Sequence, residues 1–245
     1  MAWSDVWKSV GDMRFRGETY RWFFYKKLLE GYDFRGKSVL EIGCGTGINS
    51  VFMARAGANV TFLDSSREAL QIVKKALDEF SLKGELVCEN AFNHGFRNEF
   101  DIVHSEGVIE HFIGEYRQQI LDMHSVATKK GGKVVVIVPN MKCAPYRIGK
   151  FLSEKTGTWL YGNEYPYTQK ELGRRLVKSG LDVQRLQGAE FALSYGWLLS
   201  PFLQRSDTFL KKAISGQANR TVAKFNYGRN VLNMWGSVLG AVGRK

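Results

Sequence analysis

The segment that most constrains this chain is Val39-Leu-Glu-Ile-Gly-Cys-Gly-Thr-Gly47, where an apolar run passes straight into three alternating glycines. A short apolar run bounded by turn residues reads as a buried strand. Gly43, Gly45 and Gly47 strip side chains from the turn, so a ligand can lie directly on its backbone. Ile48 to Ala56 then has the length of a crossover helix, and Asn59-Val-Thr-Phe-Leu63 forms a second strand. Strand, helix and strand in this order make the unit of a parallel sheet.

The alternation continues along the chain. Ser65-Ser-Arg-Glu68 has the form of a capping box with Ser65 at its head, and Ala69, Ile72, Val73, Ala76, Leu77 and Phe80 follow at helical spacing. Further strands are predicted at Glu85–Cys88, Phe100–His104, Lys133–Val138, Leu181–Leu186 and Val238–Val242. Thr168-Gln-Lys-Glu171 caps another helix, and an aromatic-rich helix over Glu18–Glu30 stops at Gly31. The pattern predicts a single α/β domain with a seven-stranded, mostly parallel sheet.

Several function classes fall away. Gly31-Tyr-Asp-Phe-Arg-Gly-Lys-Ser38 satisfies the phosphate-loop pattern, but a helix precedes it and a strand follows. That inverts the context in which backbone N–H groups and a helix N-terminus meet phosphates. The glycine turn lacks the last glycine of a dinucleotide fingerprint, because Ile48 stands there. Cys44, Cys88 and Cys143 have no pairing spacing, so reduced thiols in the cytoplasm are expected. The N-terminus has no signal-peptide pattern, and no uncharged apolar run reaches the length of a spanning helix.

Further segments match in register. Asp64 ends the second strand, Asn90-Ala91 follows the third, and the fourth runs through Phe100-Asp-Ile-Val-His-Ser-Glu-Gly-Val-Ile-Glu-His-Phe112. Lys129-Lys-Gly-Gly132 leads into the fifth, with Lys130 at the position of the family's proline. Over residues 37–187 this set resembles the class I S-adenosylmethionine-dependent methyltransferases. The resemblance implies a Rossmann-like fold and an enzyme with S-adenosyl-L-methionine as methyl donor and S-adenosyl-L-homocysteine as product. It also suggests an organisation: an N-terminal aromatic helical lid (1–36), a cofactor-binding core (37–190), a basic and apolar insertion or cap (191–236) and the core's final strand (237–245).

The resemblance assigns cofactor contacts to Glu41, Gly43, Gly45, Gly47, Asp64, Ser65, Asn90, Ala91, Ser105 and Glu106. Glu41 is placed near the methionine ammonium, with a structural hydrogen bond as its alternative. Asp64 would accept the ribose hydroxyls, or else cap the following helix. Asn90 would meet the adenine amine or serve only as a turn residue. Ser105 and Glu106 would face the amino-acid end mainly through their backbone. His111 is the candidate base for a protonated acceptor, since histidine titrates near neutrality; its alternative is an architectural role at a helix start. No histidine shows a carboxylate or cysteine arrangement in the sequence, so no metal is expected.

Lys and Arg number 35 against 24 Asp and Glu, and the formal charge of +11 points to an anionic partner. Seven of those charges lie in the last 55 residues, beside the uncharged aromatic run Phe191–Leu203. The expected acceptor is a hydrophobic or amphipathic small molecule, with oxygen favoured as the methylated atom, and the expected location is the cytoplasm with peripheral contact to an anionic membrane. Two rivals stand beside this reading: a methyltransferase of RNA or another macromolecule, and a cofactor-binding protein without catalysis.

Overall fold

The computed structural model describes Trp7 and residues 19–199, 220–228 and 231–245. Its strands are β1 (Ser38–Ile42), β2 (Asn59–Asp64), β3 (Glu85–Cys88), β4 (Phe100–Glu106), β5 (Thr128–Pro139), β6 (Asp182–Ala189) and β7 (Val238–Arg244). The helices are α1 (Tyr20–Leu28), α2 (Ile48–Arg55), α3 (Arg67–Glu79), α4 (Tyr116–Ala127), α5 (Ala144–Lys155), α6 (Gln169–Lys178) and α7 (Arg220–Tyr227), with short 3-10 turns at Ile109–His111, Leu193–Leu199 and Val231–Trp235.

The strands form one seven-stranded sheet in the order β3-β2-β1-β4-β5-β7-β6. All neighbours run parallel except β7, which lies antiparallel between β5 and β6. Helices cover both faces, so the central strands are buried on both sides and read as continuous apolar runs; Val134 to Val138 are all nearly inaccessible. Strand order reverses between β1 and β4, and ligands of such sheets bind outside the carboxyl ends at that reversal. The glycine turn after β1 and the tip of β4 therefore lie at the same crevice.

Element boundaries move slightly from the sequence expectation. Helix α1 starts at Tyr20, because the Thr19 side chain accepts from Trp22 N at 3.1 Å and so caps it. Its aromatics pack inward: Trp22, Phe24 and Tyr25 are buried, and Trp22 stacks on Phe52 at 5.5 Å. The cap of α3 is Ser66, one residue beyond the predicted Ser65; Ser66 Oγ accepts from Ala69 N at 3.3 Å. Asp64 displaces the box by one position, since its Oδ1 already accepts from Ser66 N at 2.8 Å. Thr168 caps α6 as expected, accepting from Glu171 N. Lys129 to Gly132, expected as a lead-in, belong to β5 itself.

Part of the insertion packs on the core: the 3-10 turn Leu193–Leu199 runs so close to α5 that a Cβ on Gly149 would strike the carbonyl of Trp197. Arg205, Lys211, Lys212 and Arg229, which supplied much of the insertion's expected basic character, lie outside the described residues. Among the described residues no helix is long and apolar enough to cross a membrane.

Candidate active site at the reversal of strand order

The three glycines of the turn all adopt left-handed φ, at 65° for Gly43, 51° for Gly45 and 64° for Gly47. Each is also hemmed in. A Cβ on Gly43 would come within 2.6 Å of Val108, on Gly45 within 2.7 Å of the Trp7 indole, and on Gly47 within 2.7 Å of Val73. Backbone conformation and close approach thus both demand glycine, and the loop is a bare cradle roofed by Trp7.

Asp64 holds that cradle in place. Its Oδ2 accepts from Gly45 N at 2.9 Å while Oδ1 accepts from Ser66 N. Burial pushes its carboxyl up despite these backbone donors. One side chain therefore ties the glycine turn to the start of α3, and its carboxylate keeps further lone pairs for a ligand. Ser65 beside it is exposed.

On the other side of the turn lies a chain of buried polar groups. Glu41 is 4% exposed, opposite His104 in the β1–β4 register, and burial raises its carboxyl well above the usual range. Its Oε2 has no hydrogen-bond partner, nor has Oδ1 of buried Asn49. His104 is enclosed between the Tyr25 and Ser50 hydroxyls, at 3.0 and 2.7 Å, and burial pushes it down to about 3, so it is neutral. Glu106 at the tip of β4 accepts from Asn49 Nδ2 at 2.9 Å and pairs with Arg21 Nε at 2.6 Å. Burial raises the Glu106 carboxyl, while Arg21 pulls the other way. Arg21, on α1, was not singled out in the sequence; its signal is a lone cation in the first turn of the helix, next to the aromatic run Trp22–Tyr25. Its Nη1 lies 3.2 Å from Glu190 Oε1, an ion-pair distance, but has no aligned hydrogen-bond acceptor.

The remaining expected residues divide. Ser105 turns its hydroxyl away to His124 Nε2, 2.8 Å off, which leaves only its backbone for the crevice. Asn90 is exposed, and its side-chain oxygen accepts from Phe92 N at 2.9 Å in a local turn. Ala91 packs against the core. His111 lies in the 3-10 turn after β4, where Nδ1–H donates to Asn163 O at 2.8 Å and burial lowers the ring's affinity for a proton. The hydrogen bond to a carbonyl places a proton on Nδ1, and the Gly107 backbone also favours the protonated ring.

At His111 the fold gathers two carboxylates that the sequence spacing does not bring together. Glu110, His111 and Glu164 each bring a ligand-type atom within 4.8 Å of the others, an arrangement a cation could share. Glu164 arrives from the segment after α5, 53 residues along the chain, a distance that no local spacing reveals. Its Oε2 accepts from Tyr146 OH at 2.6 Å, and burial pushes it up to about 7.

Comparison with known proteins gives the family and the fold. The methyltransferase-domain family matches residues 15–186. Ubiquinone biosynthesis O-methyltransferase of Salmonella newport (strain SL254) is 36% identical over 101 residues, covering 40% of this chain and only 41% of that protein. Its counterpart from Thiobacillus denitrificans is 28% identical over 179 residues, covering 71% of this chain and 75% of that one. Magnesium protoporphyrin IX methyltransferase from Synechocystis PCC 6803, solved with bound S-adenosylhomocysteine, superposes with a TM-score of 0.57 at 15% identity, covering 99% of this chain and 82% of its own. With a seven-stranded sheet of this order, a glycine cradle at the strand reversal and a family match over most of its length, the chain belongs to the methyltransferase-domain family.

Proposed function

We propose that the protein transfers the methyl group of S-adenosylmethionine to an oxygen of a hydrophobic small molecule. The observation that carries this reading is the set of buried polar atoms left without hydrogen-bond partners around the tip of β4. Arg21 Nη1 is ion-paired with Glu190 but has no aligned hydrogen-bond acceptor, while Glu41 Oε2 and Asn49 Oδ1 are acceptors without donors. Buried polar groups are usually satisfied, and three such atoms on neighbouring residues call for a ligand, although His94 Nε2, Glu110 Oε2 and Gln118 Oε1 lack partners too. A zwitterionic amino-acid end fits it, its carboxylate meeting Arg21 and its ammonium meeting Glu41 and Asn49. Gly43, Gly45 and Gly47 would admit the nucleoside, Asp64 and Ser65 the ribose, and Asn90 and Ala91 the adenine, with Ser105 and Glu106 bordering the amino-acid end. The cofactor supplies a methyl group activated by a positive sulfur, and a cation beside Glu41, Asp64 and Glu106 would favour the charged forms that burial opposes. What the chain adds is alignment and, for a hydroxyl acceptor, a group to take the proton.

The relatives' naming as ubiquinone biosynthesis O-methyltransferases supports an apolar acceptor methylated on oxygen. Membrane contact is part of the same reading, with the protein in the cytoplasm. Helix α5 exposes Ile148, Phe151 and Leu152, and the turn packed on it exposes Tyr195 and Leu199. Arg147 and Lys155 flank the apolar residues on α5. An apolar face edged with cations suits an anionic interface from which such an acceptor could be drawn.

Calorimetry tests the cofactor half. Asp64→Ala removes two charge-assisted contacts to the ribose and should weaken S-adenosylmethionine binding by about 2–4 kcal/mol. Affinity within twofold of the parent would leave Asp64 with its backbone role alone.

A further inference from the structure

Glu190 follows the last residue of β6, where the core ends and the insertion begins, and it holds a left-handed φ of 69°. A non-glycine residue in that region is strained and persists only when its surroundings fix it, often at a functional site. Here the surroundings do so. Glu190 N donates to Asn226 O at 2.9 Å, Tyr227 OH donates to Oε1 at 2.7 Å, and Ser237 Oγ donates to Oε2 at 2.5 Å. Asn226 Oδ1 also accepts from Leu193 N, and Asn233 Oδ1 accepts from Phe191 N, so the chain just after Glu190 is clamped. A Cβ on Gly236 would collide with the Ala189 carbonyl, so the strand leading back into β7 passes directly beneath.

The clamped carboxylate is aimed at Arg21, whose Nη1 is 3.2 Å from Glu190 Oε1. On its other side Arg21 Nε pairs with Glu106. The guanidinium is thus stretched between the ends of β4 and β6, and the two carboxylates keep it charged against the effect of burial. A guanidinium facing a single carboxylate tends to close on it with two parallel hydrogen bonds. Here Nη1 stands 3.2 Å from Glu190 Oε1 instead, without an aligned hydrogen-bond acceptor.

We propose that Glu190 is a positioning residue for the amino-acid end of the cofactor, acting through Arg21. The inference rests on the cofactor reading above. Without the Glu190 charge, Arg21 folds onto Glu106 and its Nη1 is lost to an incoming carboxylate. With it, the guanidinium stands ready, and the segments that grip Glu190, through Tyr227 and Ser237, become linked to cofactor occupancy.

Glu190→Gln separates this role from a merely structural one, because the amide keeps the size of the side chain and can still hydrogen-bond to Tyr227 and Ser237 while losing the charge. Binding is measured by calorimetry with two ligands, S-adenosylhomocysteine and 5′-methylthioadenosine, which lacks the amino-acid end. The variant should bind S-adenosylhomocysteine about 5- to 20-fold more weakly, the scale of one charge-assisted hydrogen bond, and 5′-methylthioadenosine unchanged. Arg21→Ala should weaken the first ligand in the same way, and adding Glu190→Gln to it should have no further effect. Should Glu190→Gln fold poorly, Tyr227→Phe loosens the same carboxylate and should show the same ligand pattern at smaller size. Unchanged affinity for S-adenosylhomocysteine, or equal losses for both ligands, overturns the role of Glu190. A parent protein that binds neither ligand overturns the cofactor reading together with it.

Discussion

His111 and Glu164 meet across two loops, and they make different demands on an experiment. If His111 takes the proton of a hydroxyl acceptor, His111→Ala should leave cofactor affinity nearly intact and lower the transfer rate about 10²- to 10⁴-fold. A lower melting temperature with an unchanged rate per folded molecule would assign the ring to architecture, through its bond to Asn163. Glu164 predicts a dependence of stability on pH. Burial raises it from the ordinary carboxylate value to about 7, so the folded state holds a proton that the unfolded state releases from about pH 4.5 upward. Its contribution is fully present below that pH and is lost as pH rises through about 7. Lys150 and Glu154 on α5 bias it in opposite directions, and the Tyr146 hydroxyl favours its charged form. His104 and His124, pushed down by burial to about 3 and 4, act in the opposite sense below their ordinary value. The diagnostic is therefore the difference between parent and Glu164→Gln in urea melts. The parent should lose stability relative to the variant between about pH 4.5 and 7.5, and parallel curves would sink the assignment.

At the scale of elements, the displaced cap of α3 makes a test of register. Ser66→Ala should cost about 1 kcal/mol, whereas Ser65→Ala, on an exposed side chain outside the cap, should cost close to nothing. Equal losses in chemical denaturation would restore the sequence-based box. The error is instructive, because Ser65-x-x-Glu68 satisfies the local pattern and loses only to Asp64, whose carboxylate takes the Ser66 N–H. Local signals otherwise served well. The central strands β1, β2, β4 and β5 were legible because a doubly covered sheet needs apolar runs there, and the glycine turn because no other residue tolerates both its φ values and its neighbours. The groups that sequence reading missed share one property: Arg21, Glu164 and Glu190 matter through partners 85, 54 and 169 residues away, at Glu106, Glu110 and Arg21. Their placement follows from the winding of the sheet, which brings the ends of β4 and β6 and the loop after α5 to one crevice.

At the scale of the whole molecule, the proposed membrane contact rests on net charge together with the apolar residues exposed on α5. The net charge of +11 attracts any anionic surface, yet charge alone gives no orientation. Orientation would come from α5, where Ile148, Phe151 and Leu152 recur at helical spacing on the exposed face between Arg147 and Lys155. Lys155 lies 5.6 Å from the Phe151 ring, so one residue of each kind would reach the interface together. A cation near an anionic leaflet contributes about 1 kcal/mol, and burying an aromatic or leucine side chain about 1.5–3 kcal/mol. Neither set alone retains a protein, but together they do, and they predict binding that weakens with salt without vanishing. Flotation with anionic and neutral vesicles at low and high salt measures this directly. Phe151→Glu should abolish the salt-resistant part, while Arg147→Glu with Lys155→Glu should abolish the preference for anionic lipid. A parent protein that fails to float with anionic vesicles at low salt would remove the membrane from this account, and the acceptor would then have to reach the crevice from solution.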